Sequence, residues 1–262
     1  MLSRLIAAIA VAAFAAGAAV AGPVHVYGPG GPAPAMKEAA AGFAAKRGVK
    51  VEVVAGPTKD WIVQAKGDAD VIYSGSETMM SDFMVALDGQ IVPSTAEPLY
   101  LRRSAILVRK GNPKRIKGLR DLMKPGHRVL VVNGAGQNGL WEDMAGRTGD
   151  IASVRSLRRN IASNAATSAD AKAAWIADES LDAWIIWNIW QVANPQLADV
   201  VEVEPQYRIY RDTGVALTHA GQVNDDAKAF AAYLASPEAG RIFARWGWIV
   251  PATRAGHKQP SR

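Results

Sequence analysis

Short apolar runs, each followed by a glycine- or proline-rich turn and then a helical pattern, succeed one another along the first half of this chain, and this rhythm limits the fold more than any other feature. VHVY (24–27) predicts a strand. The turn GPGGPAP follows, then an alanine-rich helix that Gly48 ends, since glycine tolerates the left-handed backbone of a helix C-terminus. Residues 49–55 alternate by two, as a strand does, and DWIVQAK (60–66) has helical spacing. Residues 69–74 form a third apolar run, and SETMMSDFMVAL (76–87) a third helix with Ser76 as its N-cap. Alternation of this kind requires a largely parallel sheet with right-handed crossovers, so the fold class is α/β and doubly wound.

A second unit of the same kind begins with the strand RVLVVN (128–133), followed by GAGQNG and a helix through WEDMAGR. A helix over 151–161 comes next, then TSADAKAAWIAD with Thr167 or Ser168 as cap, and DAWIIW (182–187) as a buried strand. Two long extended stretches, EPLYLRRSAILVRKGNP and VVEVEPQYRIYRDTGVALT, flank this middle unit, and two helices close the chain. One unit inserted into another predicts two lobes. The first is discontinuous, 22–101 plus 212–262, and the second spans 102–211. The tail after Pro251 is polar and reads as frayed.

The N-terminus carries a separate message. Arg4 is the only charged residue before Lys37, and it precedes the run LIAAIAVAAFAAGAAVA, which ends in the small residues Ala19-Val20-Ala21. A basic start, an apolar middle and a small-residue site predict a signal peptide over 1–21, cleaved after Ala21, and hence a periplasmic protein. The run is too short and too alanine-rich for a membrane span. The absence of cysteine excludes disulfides, thiolate metal sites and cysteine nucleophiles. A net charge of +6 favours anionic partners.

The chemistry concentrates in the turns. GPGGPAP (28–34), GPTKDW (56–61) and SGSE (74–77) each link a strand to a helix, so all three open on the carboxyl edge of a parallel sheet, where open α/β sheets bind ligands. Each also begins a helix whose first N–H groups lack partners and carry partial positive charge. Glycine admits a ligand to the backbone, and Thr58, Ser74 and Ser76 add hydroxyls, a set suited to an anion held by neutral donors. In the second unit, 133–139 (NGAGQNG) opens a helix in the same way. Gly134, Gly136 and Gly139 match a dinucleotide fingerprint, but no ribose-binding acid follows a second strand at the expected distance.

Catalytic patterns are missing. The four histidines have no partners at metal-ligand spacing, there is neither a GxSxG nor an HExxH motif, and Glu142 and Asp143 are adjacent on a helix and so diverge. The expectation is a non-enzyme with no cofactor. Asp60, Glu77 and Asp212 read as caps or surface groups that could approach a cleft. Trp61, at a helix start, and Trp187, at the carboxyl end of its strand, fit a ligand wall or the core equally well. From Arg102 to Arg128 ten Lys/Arg face a single acid, Asp121, which reads as a solvated basic face rather than a nucleic-acid surface.

The segments VYGPGGPAPAMKEAAAGFAAKRGVKVEVVAGP, EPLYLR, ILVRKGNPK, IKGLRDLMKPG, GLWEDMAGR, DAWIIW and YRD together resemble the AcfC (accessory colonization factor C) branch of bacterial periplasmic solute-binding proteins. That branch is similar to the molybdate- and sulfate-binding receptors of ABC importers. The resemblance implies a type II periplasmic-binding-protein fold, two lobes on a two-strand hinge, and a monomer that passes its ligand to an inner-membrane permease or a chemoreceptor. It implies a small oxyanion, sulfate above molybdate or tungstate, with an organic acid or amino acid as the alternative and an exported hydrolase as a remote one. By position, the ligand loops are Gly30-Gly31, Thr58 with Trp61, and Ser74, Ser76 and Glu77 from lobe one, and Gly136, Gln137, Asn138, Thr167, Ser168 and Trp187 from lobe two. The first turn departs from those receptors, which usually place a serine hydroxyl there, and Glu77 would repel a fully deprotonated oxyanion.

Overall fold

In the computed structural model, which describes residues 22–251, the first three strand–helix units follow in chain order: β1 (Val24–Gly28), α1 (Ala33–Arg47), β2 (Val51–Ala55), α2 (Thr58–Asp68), β3 (Val71–Tyr73) and α3 (Glu77–Ala86). The long β4 (Glu97–Val108) leads to α4 (Leu119–Leu122), β5 (Val129–Val132), α5 (Leu140–Gly146), α6 (Ile151–Asn160), β6 (Ile161–Ala165), α7 (Ser168–Ala177), β7 (Ala183–Trp187), α8 (Ile189–Ala193) and β8 (Asp199–Glu202). The chain returns through β9 (Tyr210–Leu217) and ends in α9 (His219–Val223), α10 (Asp225–Leu234) and α11 (Pro237–Arg245). The leader expected over 1–21 and the tail beyond Pro251 lie outside the described residues. No helix among those residues is long and apolar enough to cross a membrane.

Local chemistry sets these boundaries. Gly48 stops α1 with φ 70°, and Ser76 starts α3 by accepting a hydrogen bond from the Met79 N–H at 3.1 Å. Thr167 caps α7 through the Asp170 N–H at 3.1 Å, and Asp150 caps α6. One strand departs from expectation. Residues 161–165 leave α6 and form β6, parallel to β5, whereas the sequence there continues as helix to 161 and then turns.

The strands lie in the order β2-β1-β3-β9-β4-β7-β5-β6, with β8 also on β4. β1, β2 and β3 are parallel to one another, as are β5, β6 and β7; β4 and β9 run against their neighbours. β4 belongs to both groups. Glu97 to Arg103 pair with β9, and Ser104 to Val108 pair with β7, so the strand changes partners between Arg103 and Ser104. Helices cover the sheet faces, which leaves β7 buried at every residue, as an unbroken apolar run requires. One large apolar cluster runs from β1 and α1 through β4, β5 and β7 to α11. A second, smaller one gathers Tyr27, Trp61, Met80 and Phe83 between α2 and α3.

Candidate functional site

The turns that follow parallel strands open on one cavity of about 450 Å³. The β1–α1 turn lines it with Pro29 to Pro32, the β2–α2 turn with Gly56 to Lys59, and the β3–α3 turn with Gly75. From the other strand group come Gly136 and Gln137, after β5, and Ala166 to Ala169, after β6. Met79, Phe83, Ala86 and Trp190 supply apolar wall, and Arg102 enters from β4. Two helices aim their N-termini at this space. The first backbone bond of α2 runs from the Asp60 N–H to the Pro57 carbonyl, and the Thr167 cap of α7 takes the Asp170 N–H, so the N–H groups before them, at Thr58, Lys59, Ser168 and Ala169, have no partner within their helices. Gln137 donates through its amide nitrogen to Ser168 Oγ, while its Oε1 is buried without a partner.

Arg102 dominates the electrostatics. Its side chain is 3 % exposed, at the point where β4 changes partners. One terminal nitrogen donates to the Gly75 carbonyl, and the guanidinium lies 4.6 Å from the centroid of the Trp187 ring and 5.6 Å from that of Trp248. Its Nε has no partner, and among the described residues it makes no ion pair. Burial pushes its pKa down to about 9; the charge of Asp212 pulls it up and that of Arg211 pushes it further down. It therefore stays cationic at neutral pH. Leaving a charge buried and unpaired costs several kcal/mol, a cost that a negative group in the pocket would offset.

The glycines of these turns make room for that cation. A Cβ on Gly136 would stand 2.9 Å from the Arg102 Nη2, one on Gly75 3.0 Å from it, and one on Gly31 3.2 Å from Nη1. Gly30 has open space instead.

Seven of the residues singled out in the sequence line the cavity: Gly30, Gly31, Thr58, Gly136, Gln137, Thr167 and Ser168. The others lie elsewhere. Trp61 is core, edge-on to Phe83 at 5.2 Å, with its indole N–H donating to the Gly56 carbonyl. Trp187 is fully buried and serves the site only as the surface on which Arg102 rests. Ser74 spends its Oγ on the Gly214 N–H, and Ser76 spends its own on the α3 cap. Asn138 is exposed and offers its carbonyl to Arg211. Glu77 faces a separate shallow groove beside Asp212, whose Oδ1 accepts from the Glu77 N–H at 3.1 Å. Burial, then the charge of Asp212 and a hydrogen bond to it, hold the Glu77 carboxyl above the usual range.

Arg102 and Trp190 escaped the sequence reading as cavity residues, whereas Gly75 and Lys59 lie in turns that it names, SGSE and GPTKDW. The basic block begins not with a solvated residue but with the one buried at the site, and the expectation of neutral donors alone gives way to a guanidinium among them. The two-residue period of β4 places Arg102 on the same face as Tyr100 and Ser104, both buried, a relation that shows only once the strand's partners are known. Among the described residues no group of three or more metal-ligating side chains is placed to hold an ion.

The profile of the family described as bacterial extracellular solute-binding protein matches residues 24–249. PEB3 with L-phospholactate bound superposes with a TM-score of 0.82 at 37 % identity, covering 86 % of this chain and 99 % of that one. PEB3 from Campylobacter jejuni gives 0.80 at the same identity and coverage. The sulfate-binding protein SubI from Mycobacterium tuberculosis H37Rv shares the fold at a TM-score of 0.71, with 19 % identity over 89 % of this chain and 88 % of its own. A search of curated protein sequences finds no match.

Proposed function

The chain belongs to the bacterial extracellular solute-binding proteins and has the type II periplasmic-binding-protein fold, and we propose that it captures a small organic anion bearing a phosphate or carboxylate group. Its family and relatives bind solutes rather than transform them. One observation carries the choice of an anion: Arg102, buried and without a carboxylate partner, points among turns contributed by both strand groups. The size and walls of the cavity favour an organic ligand over a bare oxyanion. About 450 Å³ falls within the roughly 300–1,000 Å³ typical of sites for organic molecules. Met79, Phe83, Ala86 and Trp190 give sulfate or molybdate nothing to bond, yet suit a short carbon skeleton. That PEB3, 37 % identical, has been crystallised with L-phospholactate supports the same class.

In this reading Arg102 neutralises the anionic group, the N–H groups of Thr58, Lys59, Ser168 and Ala169 bond its oxygens, and Gln137 uses its spare amide atom on a second polar group. The lobes are 22–101 with 212–262, and 102–211; β4 and β9 form the two-strand hinge between them. A ligand touching both lobes favours their closed arrangement, because it can shift the equilibrium only by binding one state better. The loaded protein then docks on an ABC permease in the inner membrane, and the leader over 1–21 delivers it to the periplasm.

A thermal-shift and calorimetric panel of L-phospholactate, inorganic phosphate, citrate, sulfate, molybdate and amino acids tests this. At 100 times its Kd a ligand adds about 2.7 kcal/mol, which raises Tm by about 5–10 °C in a chain of this size. A response to sulfate or molybdate and to no organic anion would return the ligand to the bare oxyanions, and silence from every anion would end the reading.

A further inference from the structure

Arg211 sits directly opposite Arg102 in the β4–β9 pair, so two cations share one spot on the sheet. Like charges in that position repel, and both guanidiniums lie over the same indole, Arg102 at 4.6 Å from the Trp187 ring centroid and Arg211 at 5.8 Å. What separates them is what Arg211 holds. Its Nη1 donates to the carbonyl oxygens of Gly136, at 3.4 Å, and Asn138, at 3.2 Å, and its Nη2 donates to Asn138 again and to Asp143 Oδ2 at 2.8 Å. These partners belong to the turn after β5 and to the start of α5. The same turn brings Gly136 to the cavity and so close to Gly75 that a Cβ on Gly136 would lie 3.1 Å from the Gly75 carbonyl oxygen. Two carbonyl dipoles that would repel an anion are thereby turned toward a cation outside the cavity.

We propose that Arg211 is a positioning residue for ligand capture: standing on the hinge strand β9, which pairs with β3 of the other lobe, its fork clasps the β5–α5 turn through Gly136, Asn138 and Asp143, pressing that turn against Gly75 and Arg102 and so holding the site closed. It touches no ligand. The bound anion and the clasp stabilise the same arrangement, so losing the clasp costs affinity through faster escape rather than through a lost ligand contact. This rests on the reading of the cavity as an anion site, but the clasp itself can be tested without any ligand.

The test uses Arg211→Gln, Arg211→Lys, Asp143→Asn and the Gln/Asn double variant, with L-phospholactate and inorganic phosphate as probes. Stopped-flow tryptophan fluorescence should show dissociation about tenfold faster in Arg211→Gln with association changed less than twofold. Arg211→Lys, which keeps the charge but not the fork, should fall between it and wild type. The double variant should be no worse than Arg211→Gln alone, since both changes break one clasp. Small-angle scattering without any probe should give a larger radius of gyration for Arg211→Gln than for wild type at equal circular dichroism. Equal scattering and equal dissociation rates would overturn the clasp, as would additive losses in the double variant. If wild type binds neither probe, the anion reading fails by itself, and the scattering comparison still decides the clasp.

Discussion

On the proposed reading, a bound anion offsets the cost of burying the Arg102 charge. Exchanging a buried, unpaired charge for an apolar side chain of similar length removes that cost. Arg102→Met should therefore leave Tm unchanged or raise it, while weakening binding of L-phospholactate about 100-fold or more; calorimetry and a melting curve on the same samples check both. A variant that lost stability and binding together would make Arg102 a structural residue. Glu77 shows the opposite dependence on a partner. Its carboxyl titrates above the ordinary value because of burial first and the Asp212 charge second. The stability linked to its proton is thus complete below the ordinary glutamate pKa of about 4.3, and is lost as pH rises through the raised folded value. Glu77→Gln should match wild type in Tm near pH 4 and exceed it at pH 7–8. An equal Tm at every pH would mean that the repulsion from Asp212 is fully screened.

At the scale of elements, the glycine turns divide into those that need glycine and those that merely tolerate it. Gly136 has an ordinary φ of −69°, so its requirement is one of space: a methyl group there would displace the Arg102 guanidinium and crowd the Gly75 carbonyl. Gly136→Ala should weaken binding about tenfold or more, whereas Gly30→Ala, with nothing within 4 Å of the added carbon, should bind as wild type does. Equal binding by both alanine variants would detach the site from this turn. Much of this layout was legible beforehand. The alternation of apolar runs with helical patterns marks α1, α2, α3 and α7, and parallel strands put their following turns on one edge. What escaped had weak local signals. β6 has the sequence IASNA, half-exposed and small, joined to α6 without a glycine, so nothing announces the change of period. Arg102 was hidden because a run of basic residues reads as solvated surface until the partners of β4 are known. Trp61 and Trp187 read equally well as wall or core, and only three-dimensional packing assigns them to the core while Trp190 takes the wall.

For the whole molecule, the question is whether two strand groups make two folding units. Their order within one continuous sheet, with β4 shared between them, argues for one. So does the apolar cluster, in which side chains of β1 and α1 join those of β5, β7 and α11 without a break. Cutting the molecule between the groups would split β4 beside Arg102 and expose both faces of that cluster, at roughly 25 cal/mol for each Å² of apolar surface bared. Each half would lose its share of that cluster without the other. Unfolding should therefore be a single cooperative transition by calorimetry, with the calorimetric and van't Hoff enthalpies equal. If the ligand bridges turns from both groups, as proposed, a ligand such as L-phospholactate should move that transition as a whole. Two separate transitions, of which only one responds to ligand, would mean that the shared strand does not couple the groups.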